Sequence, residues 1–328
     1  MKDNLKILIA LFILGFILLL SISTGEINIA FNDVLLSLFS RSSDYNNQII
    51  QNIRFPRTFT ALFIGATLSA SGLLTSISMK NSLADSGILG IQSGATVGAL
   101  IAMLVLTGFS SLIPLFAFAG GLVAFFIIIF VTSFRNNFSP SKVVLVGVAI
   151  NSVATSIIGV ITILNANRIR NALSWLNGSL VSVSRSDFNV IAIYCTLLIA
   201  AVFLVIPFLK ILLLDDNFIL NIGHNPKMIR LLMSLLAVLL ASISVAFVGI
   251  ISFVGIIAPQ ISKKIINTSN LYRYMLMSML IGSIIVVSSD LVSRLIFSPM
   301  EIPVGVLIGI IGAPIFVILS GGDKSATN

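Results

Sequence analysis

Two arginines are the side chains best placed to act on a partner in this sequence. Arg54 and Arg57 are three residues apart around Pro56, so they project from one helix start whose backbone the proline restricts. Cations at a helix N-terminus oppose the helix dipole, which favours a docking role. The alternative is that both side chains extend toward lipid headgroups at the membrane surface. We expect docking.

The polar stretch 215–226 is a second candidate for recognition, because it lies between two long apolar runs. Asp215 or Asp216 is predicted to cap the N-terminus of a short helix, and Gly223 to end it in a left-handed conformation. Pro226 suits the first turn of the next helix. The short helix has an apolar face formed by Phe218, Ile219 and Ile222. Such a helix either floats on the membrane surface or docks on another protein.

Sequence patterns for catalysis or nucleotide binding are absent. The chain has no Gly-x-x-x-x-Gly-Lys-Ser/Thr loop, and neither a His-Glu-x-x-His motif nor paired aspartates point to membrane proteolysis. Cys195 is the single cysteine, so it forms no internal disulfide and no cysteine metal site. The single histidine, His224, is interpreted as a polar loop residue. We therefore predict no catalytic, cofactor or metal site.

The composition predicts an all-α polytopic membrane protein. Hydrophobic residues make up 57% of the chain and charged residues 9%, with a mean hydropathy of +1.13. The net charge of +8 indicates basic residues flanking membrane spans, not nucleic-acid binding. The first apolar run is longer than a signal-peptide core and has no clear cleavage site, so we interpret it as a permanent helix.

About ten spans are predicted, at ~20 residues for a full crossing. Their rough extents are 5–23, 58–79, 88–107, 113–134, 142–164, 189–213, 228–249, 252–266, 272–293 and 303–320. The run 252–266 is short for a full crossing. Ten crossings place both termini on one side, and a cytoplasmic N-terminus puts twelve of the nineteen basic residues inside. We therefore expect cytoplasmic termini, a cytoplasmic stretch 215–226 and extracellular Arg54 and Arg57.

Two irregular regions interrupt the predicted spans, at 81–87 and at 248–255. Irregular backbone at membrane depth is tolerated only beside protein or water. Their comparable places in two halves predict an inverted repeat, with spans two to five related to spans seven to ten. Small residues predict close helix approach at Gly90/Gly94/Gly98 and at Gly305/Gly309. Trp175 is interpreted as an anchor at the membrane interface.

Polar residues in the later spans provide further candidates. Asn151, Ser152 and Thr155 lie on one side of the fifth span, where they either line a translocation path or bind a neighbouring helix; both readings stay open.

Asp290 precedes Arg294 by four residues, which predicts a local ion pair. Arg294 lies on the same outer side as Arg54 and Arg57 and is a further docking candidate. Glu301 is expected to orient Arg294 or to cap the last helix. No acid or base lies clearly at mid-span, which counts against an ion-coupled secondary transporter.

Short motifs along nearly the whole chain resemble the permeases of the iron-siderophore, haem and vitamin B12 class of ABC importers (FecCD-like). They are Arg54-Phe55-Pro56-Arg57-Thr58, Gly65-Ala66, Ser71-Gly72, Asn81-Ser82-Leu83-Ala84-Asp85-Ser86-Gly87-Ile88-Leu89-Gly90, Ser93-Gly94-Ala95, Trp175-Leu176-Asn177-Gly178-Ser179, Phe253-Val254-Gly255-Ile256-Ile257-Ala258-Pro259, Asp290-Leu291-Val292-Ser293-Arg294 and Glu301-Ile302-Pro303-Val304-Gly305.

The resemblance implies a single permease domain over 1–328 with a type II ABC importer fold, embedded in cell-membrane lipid. It implies a second permease, identical or different, across a central path, two cytoplasmic ATPases that hydrolyse the ATP, and an extracellular substrate-binding protein. Arg54, Arg57 and Arg294 would meet acidic residues on that binding protein. The stretch 215–223 would dock on the ATPase.

The cargo is expected to be a ferric siderophore, the commonest in the family, with haem and vitamin B12 as alternatives. An ion-coupled transporter is a more remote alternative. One departure from the family pattern is Gln260, which stands where a histidine often follows the proline of the Phe-Val-Gly motif.

Overall fold

The computed structural model describes residues 2–25, 29–30, 34, 45–87, 89–106, 112–133, 140–166, 169–296 and 301–321. Within these ranges the regular structure is helical and contains no β-strand. The helices are α1 Lys2–Ser23, α2 Tyr45–Ile49, α3 Phe55–Ser78, α4 Ile91–Leu100, α5 Ile113–Ser133, α6 Pro140–Leu164, α7 Ile169–Leu176, α8 Arg185–Ile211, α9 Asp216–Asn221, α10 Pro226–Val248, α11 Val254–Ile265, α12 Leu271–Ile296 and α13 Val304–Gly321. π-Helical turns follow α2 at Ile50–Arg54 and α4 at Ile101–Val105.

Each of the ten predicted spans overlaps one helix. Seven helices among the described residues are long and apolar enough to cross a membrane. The other three predicted spans correspond to Ile91–Val105, Val254–Ile265 and Val304–Gly321, which are shorter. The second span differs from its prediction, because one helical run extends from Tyr45 to Ser78. The number of crossings and the side of the termini stay predictions.

Helix α3 is the most enclosed of the long apolar helices. In the helical run that contains it, 78% of the apolar stretch is buried inside the protein, against 22% for α1. It has no side chain at Gly65 and Gly72, which lie against the backbone of Gly282 in α12 and Gly255 in α11; a Cβ at either position would collide with that backbone. Hydroxyl groups bind carbonyls between α3 and α12, from Ser69 to Ser278 at 2.7 Å and from Ser283 to Leu62 at 2.8 Å. The Ser71 hydroxyl likewise binds the Ala237 carbonyl of α10 at 2.7 Å.

The pattern of helix contacts agrees with the predicted repeat and relates α3–α6 to α10–α13. In this relation α3 corresponds to α10, α4 to α11, α5 to α12 and α6 to α13. The contacts of α3 with α12 and α11 match those of α10 with α5 and α4. The contacts among α4, α5 and α6 match those among α11, α12 and α13. The two half-helices also begin alike, because Gly90 before α4 and Phe253 before α11 are both left-handed, with φ of 74° and 67°. For Phe253 this conformation is strained.

Glycine faces divide into two kinds. Gly94 and Gly98 of α4 lie against the backbone of α5 at Gly120 and Phe116, which confirms the predicted close approach. In the second predicted face, Gly305 lies against the backbone carbonyls of Asn177 and Ile250, whereas a Cβ at Gly309 would meet nothing within 4 Å among the described residues, so the prediction is confirmed at Gly305 alone.

Trp175 is not an interfacial anchor. Its side chain is buried in an apolar cluster with Ala95, Ala99, Ala117 and Val245. The prediction was wrong because a tryptophan near a span end is compatible with either location, and only the adjacent small residues of α4 and α5 provide room for the ring inside the bundle.

Candidate functional site

Two charged sites lie at opposite ends of α3. The arginine cluster consists of Arg54, Arg57, Asp290, Arg294 and Glu301 at the N-terminal end of α3. The coupling segment, residues 215–226, lies beside its C-terminal end, where Lys80 contacts it. Because α3 has 24 residues and a helix rises 1.5 Å per residue, about 36 Å separates the two ends.

Arg57 holds the centre of the arginine cluster. Its Nη2 lies 2.8 Å from Asp290 Oδ1, its Nε donates to the same oxygen at 2.9 Å, and its Nη1 lies 2.9 Å from Glu301 Oε2. The Asp290 side chain is 0% exposed, whereas Glu301 is 33% exposed. Arg57 therefore has one enclosed anionic partner and one at the rim.

The other two arginines bind the C-terminal carbonyl groups of α1. Arg54 Nη1 donates to the carbonyls of Ile22 at 2.8 Å and Ser23 at 2.9 Å. Arg294 Nη2 donates to Ser21 Oγ at 2.6 Å and to its carbonyl at 3.2 Å. The last carbonyls of a helix have no partner within the helix and carry partial negative charge, so the guanidinium groups cap α1 and fasten it to the bundle.

The predicted ion pair between Asp290 and Arg294 is present, with Arg294 Nε 3.2 Å from Asp290 Oδ2. This contact lacks hydrogen-bond geometry, since Oδ2 accepts no hydrogen bond from any described residue. The prediction for Glu301 was wrong, because its carboxylate binds Arg57. The sequence did not indicate Asp290 and Glu301 as partners of Arg57; the only signal was that both acids lie in family motifs.

The predicted docking arginines are placed inward. Arg54 and Arg57 are buried and the Arg294 side chain is 8% exposed, so each arginine binds groups within the subunit and stabilises its fold. Three cations against two anions leave the cluster with a net charge of +1 among its five residues. Docking of a partner on this cluster stays a prediction.

Asp216 anchors the coupling segment. Its carboxylate accepts hydrogen bonds from Arg230 Nη2 at 2.7 Å, Arg230 Nη1 at 2.8 Å and Lys80 Nζ at 3.0 Å. The hydrogen bonds from Arg230 and, to a smaller extent, the bond from Lys80 hold the pKa of Asp216 below its usual range. Partial burial acts in the opposite direction. The contribution of the ionised form to stability is thus complete at neutral pH and is lost as pH falls through the folded-state pKa.

The ends of α9 follow the predicted local signals in part. Asp215 is the extended residue before the helix, but its side chain makes no capping bond. Gly223 has φ +84°, its N–H donates to Leu220, and the N–H of His224 donates to Ile219 at 3.1 Å. This is the Schellman arrangement, and it confirms Gly223 as the left-handed terminator.

The apolar residues of α9 point in two directions. Ile219 is 0% exposed and packs into the core of the bundle, whereas Phe218 is 53% and Ile222 46% exposed. Leu220 is also exposed. Phe218 and Ile222, four residues apart, form the face available to a partner, while Leu220 is exposed on another side of the helix. The predicted face was wrong to include Ile219.

The three polar residues of α6 project outward from the subunit. Ser152 and Thr155 are exposed and Asn151 is half-buried. The two hydroxyl groups donate to carbonyls of their own helix, at Val148 and Asn151. Among the described residues neither hydroxyl binds a neighbouring helix, so helix association within this chain does not account for them.

Gln260, which stands where the family often has a histidine, makes a hydrogen bond to another element. Its Nε2 donates to the Ser82 carbonyl at 3.4 Å, which connects α11 to the irregular segment between α3 and α4. His224 is exposed beside Gly223.

Comparisons with known proteins agree with this architecture. The model of the FecCD transport family matches residues 11–321. The "Probable heme-iron transport system permease protein IsdF" of Staphylococcus aureus strain Newman is 34% identical over 319 residues, covering 97% of this chain and 96% of the relative. The protein of the same name from strain bovine RF122 / ET3-1 has the same identity and coverage.

Two solved structures share the fold. One, described as an inward-facing conformation of a metal-chelate type ABC transporter, has a TM-score of 0.85 at 23% identity, covering 97% of this chain and 99% of that chain. The other, PsaBC from Streptococcus pneumoniae in complex with Fab, has a TM-score of 0.57 at 16% identity, covering 88% and 95%.

We predict that Asp290→Asn destabilises the purified protein by about 3–5 kcal/mol, because it leaves two buried guanidinium groups without their enclosed anion. Glu301→Gln should cost much less, since Glu301 is partly exposed. Thermal unfolding of the two variants in one detergent gives the comparison. Equal midpoints for Asp290→Asn and Glu301→Gln would contradict the central position of Asp290.

Proposed function

Because this chain belongs to the FecCD transport family and is a multi-pass permease subunit of an ABC importer, we propose that its cargo is an iron chelate. Haem is the first candidate, and the ferric siderophore expected from the sequence is the second. The observation that carries the proposal is the 34% identity over 97% of the chain to proteins named as haem-iron permeases. The chain is a transport component, and a partner chain hydrolyses the ATP.

Permeases of this kind work with a second permease, ATPases and a substrate-binding protein. We assign a separate surface of this chain to each. The outward polar residues of α6, Asn151, Ser152 and Thr155, supply one wall of the path shared with the second permease. The exposed face of α9 receives the cytoplasmic ATPase, and the arginine cluster faces the extracellular binding protein.

The α9 assignment is supported by how firmly the coupling segment is attached. Asp216 is bound by Arg230 and Lys80, and Ile219 is inserted in the core. Force on Phe218 or Ile222 is therefore transmitted directly to α10 and to the end of α3. A helix that only floated on lipid would need no such attachment.

The docking assignment is supported by the charge of the arginine cluster. Its net +1 charge lies at one end of the bundle, and Glu301 at the rim is the partner of Arg57 that an approaching carboxylate can replace. Asp290, being enclosed, would hold Arg57 in place during that exchange.

The cargo is tested by uptake into proteoliposomes that contain this chain with its ATPase and binding protein. Radio-iron haem should accumulate with ATP and not with a non-hydrolysable analogue, and a ferric siderophore at equal concentration is the competing cargo. Ser152→Trp should block uptake by narrowing the path, with the neighbouring exposed Val153→Trp as control. Uptake without the ATPase, driven by an ion gradient, would contradict an ABC importer, and transport of neither iron chelate would contradict the cargo.

The double variant Phe218→Ala, Ile222→Ala should weaken ATPase association at least tenfold, since truncating well-packed interface anchors costs about 2 kcal/mol or more each. Folding should be unchanged because both side chains are exposed. The control is Ile163→Ala with Leu164→Ala on α6, where both side chains are apolar and more exposed than Phe218 and Ile222. Wild-type ATPase stoichiometry together with transport-linked hydrolysis in the α9 variant would refute the assignment.

Glu301→Gln should raise the affinity for the binding protein several-fold, because it removes the rim competitor and leaves the arginine cluster with a net charge of +2. The gain should shrink at high salt. Asp187→Asn, at a half-buried acid in the capping box of α8, is the control. An unchanged or lower affinity for Glu301→Gln would show that the arginines do not meet acidic residues of the partner.

A further inference from the structure

A buried carboxylate lies where the two repeats meet. Asp85 belongs to the irregular segment between α3 and α4 and is 4% exposed. Its Oδ1 reaches Gly255 in the first turn of α11, so that a Cβ at Gly255 would collide with it. The carbonyl of Leu68 in α3 approaches the same glycine. Asp85 is thus enclosed by α3, by α11 and by its own loop.

The carboxylate of Asp85 has no cationic partner among the described residues. Its side-chain hydrogen bonds come from its next neighbours, Ser86 Oγ and the N–H of Gly87, both at 3.4 Å. The charged and polar groups on the surrounding elements are engaged or distant: Lys80 and Arg230 bind Asp216, Gln260 donates to Ser82, and Lys263 and Lys264 are exposed in the last turn of α11. An isolated ionised carboxylate in such a position is energetically costly.

A second buried oxygen faces the same space. Gln92 is 3% exposed, and its Oε1 has no hydrogen-bond partner within the part of the chain that the structure describes, while its Nε2 donates to Ser86 Oγ at 3.4 Å. The point that a Cβ would occupy at Gly87 is 3.4 Å from Gln92 Oε1 and 3.5 Å from Asp85 Oδ2. Two acceptor oxygens therefore face Gly87: Asp85 Oδ2 accepts only the long hydrogen bond from the N–H of Gly87, and Gln92 Oε1 accepts none from the described residues.

We propose that Asp85, Ser86 and Gln92 form a buried binding site for one positive charge, either a proton or an alkali cation. A proton on Asp85 Oδ2 would donate to Gln92 Oε1 and complete a ring in which Gln92 Nε2 donates to Ser86 Oγ and Ser86 donates to Asp85 Oδ1. An alkali cation would instead be coordinated by the carboxylate and amide oxygens, a donor set that suits hard cations.

The position of the site connects its occupancy to movement between the repeats. Asp85 lies in the irregular segment between α3 and α4 of the first repeat, and it contacts the first turn of α11 in the second repeat. Any shift of α11 against α3 changes the space between Oδ2 and Oε1, and so changes the affinity for the charge. This inference does not depend on the cargo or on the docking assignments.

Infrared spectroscopy of the complete transporter labelled with ¹³C-aspartate tests the proton. A protonated carboxylic acid has a C=O stretching band that a carboxylate lacks. At neutral pH the band should be present, absent in Asp85→Asn and retained in Asp187→Asn. If Asp85→Asn does not fold, Asp85→Glu serves instead, because it removes the group from the labelled aspartates.

Thermal unfolding tests the alkali cation. Replacing choline chloride by NaCl, LiCl or KCl at constant ionic strength should raise the midpoint by several degrees in the wild type and not in Asp85→Asn. Either the infrared band or the cation-specific shift supports the site and identifies the charge. If the wild type shows neither, Asp85 is ionised and satisfied by a rotated Gln92 amide that donates to it, and the proposal is overturned.

Discussion

Backbone-to-backbone packing of α3 against α11 and α12 is the interaction on which the other helices depend. Gly65 against Gly282 and Gly72 against Gly255 bring the helices closer than any side chain allows, and serine hydroxyls satisfy carbonyls across the contact. Lipid tails are as apolar as leucine side chains, so the hydrophobic effect does not drive helices together in a bilayer. Close packing and buried hydrogen bonds must therefore hold the helices together. The irregular residues 84–86 are buried against protein, which is where irregular backbone at membrane depth is tolerated.

Charged residues are placed at the two ends of this packed centre, and each group fastens a peripheral element to it. The arginines at one end cap the exposed helix α1 through its terminal carbonyls. Asp216 at the other end attaches the coupling segment to α10 and to Lys80. Both ends thus combine an internal ion pair with exposed groups that a partner can contact, namely Glu301 at one end and Phe218 and Ile222 at the other. A rigid connection between them is what a subunit needs if events at the ATPase are to reach the binding protein.

The inverted repeat explains why two breaks occur and why they meet. Each repeat contributes one half-helix that begins in a left-handed residue, Gly90 or Phe253. Asp85 of the first break contacts the start of α11 in the second repeat. The bundle thereby places its least regular backbone, a buried carboxylate and a strained phenylalanine in one region, where small helix shifts have the largest local effect.

Local signals determined much of this protein from the sequence alone. Hydropathy located the helices, the order of short motifs identified the family, and Gly223 and Pro226 marked the ends of their helices because a left-handed cap and a missing N–H are properties of single residues. Tertiary structure decided which side chains face inward. Arg57 meets Asp290 across 233 residues, Ile219 and Trp175 are buried, and Asp85 reaches Gly255. Those outcomes depend on which helices become neighbours, and residue spacing along one helix carries no information about the helix packed against it.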